Sequence, residues 1–140
     1  MPTSEADLKR DLAFACRILA AEGQGDNIFG HVSARTPGLD RFTDLVKTSE
    51  QGRLVAAALG QGTALFLRNH GIVVAHVSVE EAVWAALSLE RAAQVQLLAQ
   101  PSPEAPLLYT PEDEMPVKKA SIWSAARARA VFDYYVRRLR

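Results

Sequence analysis

The sequence predicts an α/β domain with a mainly antiparallel sheet and helices on its faces. Two apolar runs, residues 64–67 (ALFL) and 72–75 (IVVA), have the length and composition of buried strands. The turn between them, residues 68–71 (RNHG), contains Asn69 and Gly71, residue types that tolerate positive φ. Helix-start signals lie on both sides of this hairpin. Antiparallel strands with flanking amphipathic helices are typical of this class.

Three capping motifs predict where helices begin. They are residues 4–7 (SEAD), 48–51 (TSEQ) and 78–81 (SVEE). The helices that follow are expected to end at Gly23, Gly60 and Pro101, respectively. On the third and longest helix, helical spacing predicts an inward face formed by Val83, Trp84, Leu87, Val95 and Leu98.

The remaining elements are a loop and a final helix. Residues 101–116 are rich in proline and contain an acidic run, which favours a surface loop. A last helix is predicted over residues 117–140. Cys16 follows Phe14 and Ala15 on the apolar stretch of the first helix, so we expect its side chain to be buried.

Composition excludes several classes of protein. A chain of 140 residues, 49% apolar and 23% charged, predicts one domain over residues 1–140. The formal charge is zero, so no overall field attracts nucleic acid or an anionic membrane. No secretory signal or membrane-length apolar run is present, and Cys16 is the only cysteine. These features predict a cytoplasmic protein with no membrane association.

The last helix carries the one charge asymmetry of the chain. From residue 117 onward, seven basic residues accompany a single acid, Asp133. A nucleic-acid module fits this pattern. Cations are also favoured near a helix C-terminus, and the acidic remainder of the chain offers them partners within the protein or in another subunit. We therefore expect a structural role and no nucleic-acid partner.

Two parts of the sequence contain candidate ligand-binding side chains. His70 is displayed in the predicted hairpin turn, where it fits either a solvated turn residue or a ligand-binding group. His31, Ser33 and Arg35 alternate with apolar residues, as on one face of a strand. That row suits an anionic or hydroxylated ligand, and equally suits the solvated face of an edge strand.

Several blocks of the sequence resemble the class II aldolase and adducin-head family. They are residues 29–35 (FGHVSAR), 43–46 (TDLV), 50–53 (EQGR), 67–73 (LRNHGIV), 78–82 (SVEEA) and 132–135 (FDYY). The resemblance implies a three-layer α/β/α class II aldolase-like fold with a mainly antiparallel central sheet. It also implies a homotetramer with active sites at subunit boundaries.

The resemblance assigns roles to individual residues. In the family, the histidine of the RNHG turn is one of three histidine ligands to a divalent metal, usually zinc, which implies that role for His70. A C-terminal tyrosine lies near the site in some family aldolases, which makes Tyr134 a catalytic candidate together with His31; aromatic packing is the alternative for Tyr134. The implied residues for an anionic small-molecule substrate are Asn27, Gly30, His31, Ser33 and Arg35.

The implied function is that of a metal-dependent lyase that breaks a carbon–carbon bond. Aldol cleavage of a sugar phosphate-like substrate and decarboxylation of a hydroxylated aromatic acid both fit. Many members have Asn where this chain has His31, and the histidine resembles the decarboxylase branch. The alternative is a non-catalytic, adducin-like assembly or binding module.

One departure from the family bears on this function. Between Phe42 and Thr43 the family normally has a long central segment that holds the other two metal ligands. Here the two blocks are adjacent, so the sheet is expected to be shortened in its middle. Apart from His70, the histidines are His31 and His76. A catalytic zinc needs three protein ligands, so we expect this chain alone to bind the metal weakly.

Overall fold

The computed structural model describes residues 4–23, 48–67, 71–99 and 108–139. Within these ranges the chain forms five helices and one β-hairpin. In chain order they are α1 (Glu5–Ala21), α2 (Ser49–Leu59), β1 (Ala64–Leu67), β2 (Gly71–Val74), α3 (Val79–Leu98), α4 (Met115–Ile122) and α5 (Ala125–Arg138).

The first three helices begin where the capping motifs predict. The Ser4 hydroxyl accepts a hydrogen bond from the backbone N–H of Asp7 at 3.1 Å. Thr48 and Gln51 form a reciprocal capping box, with hydrogen bonds of 3.2 and 3.1 Å. Such caps satisfy backbone N–H groups that have no partner inside the helix, and each contributes about 1 kcal/mol.

The hairpin has the predicted strands and direction. β1 and β2 are antiparallel, with Leu65 opposite Val73 and Leu67 opposite Gly71. Gly71 has a φ of 153°, a conformation that side-chain-bearing residues rarely adopt, so the backbone itself requires glycine there. Leu65 and Leu67 are half-buried, whereas Phe66 is exposed on the other face of the hairpin.

The core lies where α1, α3 and α5 pack together. Its buried residues are Ala15, Ile18, Val79, Val83, Leu87, Phe132 and Tyr135. Arg129 of α5 connects the three helices at the edge of this core. Its guanidinium lies 2.8 Å from a carboxylate oxygen of Glu80 on α3 and 3.5 Å from one of Asp11 on α1. Asp133, 3.0 Å away, contributes most to raising the pKa of Arg129, followed by Glu80.

The predicted inward face of α3 is correct only over its first half. Val83 and Leu87 are buried and Trp84 is half-buried, but Val95 and Leu98 are 63% and 85% exposed. All buried residues of α3 lie between Val79 and Leu87, because α1 and α5 pack against that part of the helix. The prediction that Cys16 is buried is also wrong, because its position on α1 faces solvent.

The single last helix predicted over residues 117–140 is two helices. Trp123 ends α4 in an extended conformation, and the Ser124 hydroxyl accepts the N–H of Arg127 to begin α5. The guanidinium of Arg127 donates to the carbonyl oxygens of Ser121 and Ile122. The break is therefore capped on both sides.

The described elements establish a mixed α/β fold with a small antiparallel sheet. The three-layer arrangement and the single domain over residues 1–140 remain predictions. No helix in the described ranges is both long and apolar enough to cross a membrane.

Candidate functional site

The hairpin positions the turn that contains the predicted metal ligand. The pairing of Leu67 with Gly71 brings the two ends of the turn together. His70 itself lies outside the described residues, as do Asn27, Gly30, His31, Ser33 and Arg35. Their roles in metal and substrate binding therefore stay predictions from the sequence.

Tyr134, the remaining predicted site residue, lies at the rim of a cavity. The cavity has a volume of about 220 Å³ and is lined by residues of α3 and α5, including Trp84, Arg91 and Tyr135. Tyr134 is 48% exposed, and its ring meets that of Tyr135 edge to face at 5.2 Å. The Arg138 guanidinium lies 5.6 Å from the centre of the Tyr134 ring. The tyrosine is thus accessible to a ligand and is also held by aromatic packing.

Arg91 supplies a fixed positive charge to the same cavity. Its guanidinium donates to the Tyr135 hydroxyl at 2.6 Å and to the Glu22 carboxylate at 3.1 Å. Tyr135 is the main cause that raises the pKa of Arg91, and Glu22 adds to the effect. Arg91 therefore stays charged, with Glu22 as its counter-ion. The cavity therefore combines an arginine that is paired with Glu22 and aromatic walls.

A second polar cluster joins the end of the hairpin to α3 and α4. The buried Glu81 carboxylate accepts hydrogen bonds from the Ser78 hydroxyl at 3.1 Å and from the Trp123 indole at 3.4 Å. His76 Nδ1 lies 3.3 Å from the same carboxylate. The Ser78 hydroxyl also accepts the backbone N–H of Glu81, which confirms half of the predicted capping box. The other half would be a hydrogen bond from the Ser78 backbone N–H to the Glu81 carboxylate. That carboxylate instead accepts from the Ser78 hydroxyl and the Trp123 indole.

Sequence reasoning missed this cluster as a unit. It identified His76 as one of three histidines and Glu81 as part of a capping motif. The available signal was the position of His76 two residues before Ser78, in a capping motif that carries Glu81 at its third helical position. Trp123 is far away in sequence, and only the fold brings it to the other two.

The described residues do not fit the three-ligand metal site that the resemblance implies. No group of three His, Cys, Asp or Glu side chains in these ranges is placed to hold a metal. His76 follows the far end of β2, and the strand rises by about 3.4 Å per residue from Gly71. Its ring faces Glu81 there. His76 is therefore not placed to complete a site beside the RNHG turn.

Three of the seven basic residues near the C-terminus pair with carboxylates within the described ranges. Arg129 contacts three carboxylates, Arg138 lies 3.7 Å from Glu22, and Lys118 pairs with Glu114 at 2.6 Å. These contacts give Arg129, Arg138 and Lys118 partners within the fold, and the absence of a nucleic-acid partner stays a prediction.

A comparison with known protein families finds one match. Residues 42–97 match the family model of the Class II Aldolase and Adducin N-terminal domain. The resemblance is thus confirmed over the segment that contains α2, the hairpin and most of α3. The match covers less than half of the chain, and it includes His70, His76 and Glu81. No curated protein and no solved structure matches the chain.

Proposed function

We propose that the protein acts as a metal-dependent lyase of the class II aldolase type, breaking a carbon–carbon bond in a small anionic substrate. The observation that carries the proposal is the family match over the hairpin, whose paired ends flank the RNHG turn. His70 in that turn would provide one ligand to a divalent metal, with zinc as the metal that the resemblance implies.

A catalytic metal centre needs ligands beyond those of the described residues. These residues do not themselves bring three metal-binding side chains together, whereas a catalytic zinc requires three protein ligands. We propose that the missing ligands come from outside the described part of the chain. We propose two substrate classes for this reaction, sugar phosphate-like compounds and hydroxylated aromatic acids.

The chain's own residues have distinct proposed tasks in this reaction. Arg35 would hold the anionic end of the substrate through paired hydrogen bonds, with Asn27, Gly30 and Ser33 beside it. His31 and Tyr134 would move the proton that the carbon–carbon cleavage requires. The exposure of Tyr134, which lines a cavity together with Arg91, supports its accessibility to a ligand.

Two substitutions separate the metal from the proton-transfer role. In a protein with measurable lyase activity, we expect His70→Ala to lose both metal and activity while the fold is retained. His31→Ala should keep the metal and lose turnover or substrate affinity. Metal content and steady-state kinetics of both variants measure this. Full metal content in His70→Ala would refute the ligand assignment.

A non-catalytic assembly or binding module is the second candidate. The finding that favours it is that the described residues bring no three metal-binding side chains together. The matched family also includes both kinds of protein, lyases and adducins. Protein purified without a chelator distinguishes them, since the lyase requires near-stoichiometric divalent metal and the module requires none.

The assembly and compartment are further parts of the proposal. The resemblance supports a homotetramer, and the exposed apolar side chains of the hairpin and the second half of α3 are compatible with contacts between subunits. Light scattering after size-exclusion chromatography tests this directly, and a stable monomer at micromolar concentration would contradict it. The single cysteine supports a reducing, cytoplasmic compartment.

A further inference from the structure

A cavity lies at the open end of the hairpin, away from the RNHG turn. It has a volume of about 290 Å³ and lies between the start of β1, the middle of α3 and the end of α4. We call it the hairpin-end cavity, and the lining residues that matter here are Thr63, His76, Ser88, Leu89, Lys119 and Trp123. Its size is near the lower end for small-molecule sites, which suits a ligand with a single ring.

The cavity presents a cation that has no counter-ion among the described residues. Lys119 forms no ion pair within the described ranges, whereas its neighbour Lys118 pairs with Glu114 at 2.6 Å. None of the residues that line the cavity carries a carboxylate. The charged part of a ligand that fits here is therefore an anion.

His76 adds a polar ring to the same lining. Its Nδ1 lies 3.1 Å from the backbone nitrogen of Val77 and 3.3 Å from a carboxylate oxygen of Glu81. We find no hydrogen bond from Nε2 to the described residues. The side chain is only 13% exposed, and contact with the Glu81 carboxylate fixes the ring. A ring held in this way gives the lining a polar group at a fixed position.

Trp123 gives the cavity a rigid apolar wall. Its ring stacks on Trp84 with 4.2 Å between centroids and an angle of 7°, and its indole N–H is held by Glu81. The His76 ring lies 5.2 Å from it. Leu89 extends the apolar lining from α3. Such a wall favours a flat, aromatic ligand over a hydrated inorganic ion.

The geometry points to a binding site for a single-ring aromatic carboxylate in the hairpin-end cavity. Lys119 neutralises the carboxylate, the hydroxyls of Thr63 and Ser88 offer hydrogen bonds, and Trp123 contacts the ring. This site is separate from the proposed lyase reaction, because it uses neither a metal nor His70 and lies at the other end of the strands.

Benzoate is the probe for this site, and tryptophan fluorescence with calorimetry measures its affinity. Lys119→Met keeps the aliphatic stem and removes the charge, so we expect benzoate to bind about tenfold more weakly or worse. Lys118→Met is the matched control, because Lys118 is the adjacent lysine and does not line the cavity. Its affinity should stay within about twofold of the unsubstituted protein. Benzyl alcohol, which has the ring without the charge, should bind about tenfold more weakly than benzoate.

Further variants keep the test decisive. Far-UV circular dichroism checks that each variant is folded, and the Trp123 indole N–H resonance should shift on addition of benzoate. His70→Ala should bind benzoate normally, so failure of the lyase proposal leaves this result unchanged. Absence of benzoate binding at millimolar concentration would overturn the inference. Equal losses in Lys118→Met and Lys119→Met, or loss in His70→Ala, would overturn it as well.

Discussion

Phe132→Ala is expected to remove a large share of the stability of the three-helix core. Phe132 lies on α5 and is 1% exposed, in contact with the cluster formed with α1 and α3. Truncation of a buried phenylalanine costs about 3–5 kcal/mol, because apolar burial is lost and a cavity remains. The Arg129 guanidinium, 5.8 Å from the ring centre, loses a partner too. Since a domain is stable by only about 5–15 kcal/mol, this loss is large.

Urea denaturation followed by circular dichroism measures this effect. With a slope of about 2 kcal/mol per molar urea, the midpoint should fall by about 2 M. The melting temperature should fall by roughly 10–20 °C. Tyr134→Ala is the control, because Tyr134 lies on the same helix but is 48% exposed, and its loss should be below about 1.5 kcal/mol. An equally small loss for Phe132→Ala, with an unchanged slope, would refute the packing of α5 against α1 and α3.

Two further predictions concern charged groups of the helices. Arg129→Met leaves the buried Asp11 carboxylate without one of its two arginine partners. We expect the free energy of unfolding to fall by about 1–2 kcal/mol, a modest loss because Arg129 is half-exposed. Denaturation of this variant beside Arg137→Met, which should change stability little, measures the difference. The Ser4 hydroxyl donates to the Asp7 carboxylate and, with a smaller effect of Arg10, lowers the pKa of Asp7. This hydrogen bond therefore stabilises the fold above the ordinary carboxyl range, and the contribution is lost as pH falls through the lowered pKa. Carboxyl titration by NMR should show the pKa of Asp7 rising in Ser4→Ala, and an unchanged pKa would contradict the hydrogen bond.

Local features of the fold could be predicted from the sequence. The caps at Ser4, Thr48 and Ser78 depend on side chains three residues from the groups they bond, so a short motif contains all the participants. The hairpin was predictable for the same reason, because two short apolar runs flank a turn whose Gly71 adopts a positive φ.

Features that depend on distant packing could not be predicted. Helical spacing identifies an apolar face on α3 but not where its partner helices end, and so Val95 and Leu98 were wrongly placed in the core. Trp123, at the break between α4 and α5, contacts Trp84 and Glu81, which lie about 40 residues earlier, so no local motif contains these partners.

The candidate site also has a part that could be predicted from local sequence and a part that could not. The RNHG turn was recognisable from its residues, and the family match over residues 42–97 includes it. The roles of His31, Arg35 and His70 remain predictions, since these residues lie outside the described ranges. The hairpin-end cavity had no sequence signal of its own, because it forms only where the strand ends, α3 and α4 come together.

Zinc calorimetry on the 140-residue chain and on His70→Ala tests the central claim most directly. That claim is that His70 is a metal ligand in an incomplete ligand set. The account predicts weak binding, with a Kd above about 10 μM, because one available histidine cannot hold zinc as three ligands do. His70→Ala should abolish the binding that remains. Tight one-to-one zinc binding by the unsubstituted chain would contradict the incomplete ligand set, and zinc binding that persists unchanged in His70→Ala would contradict the role of His70.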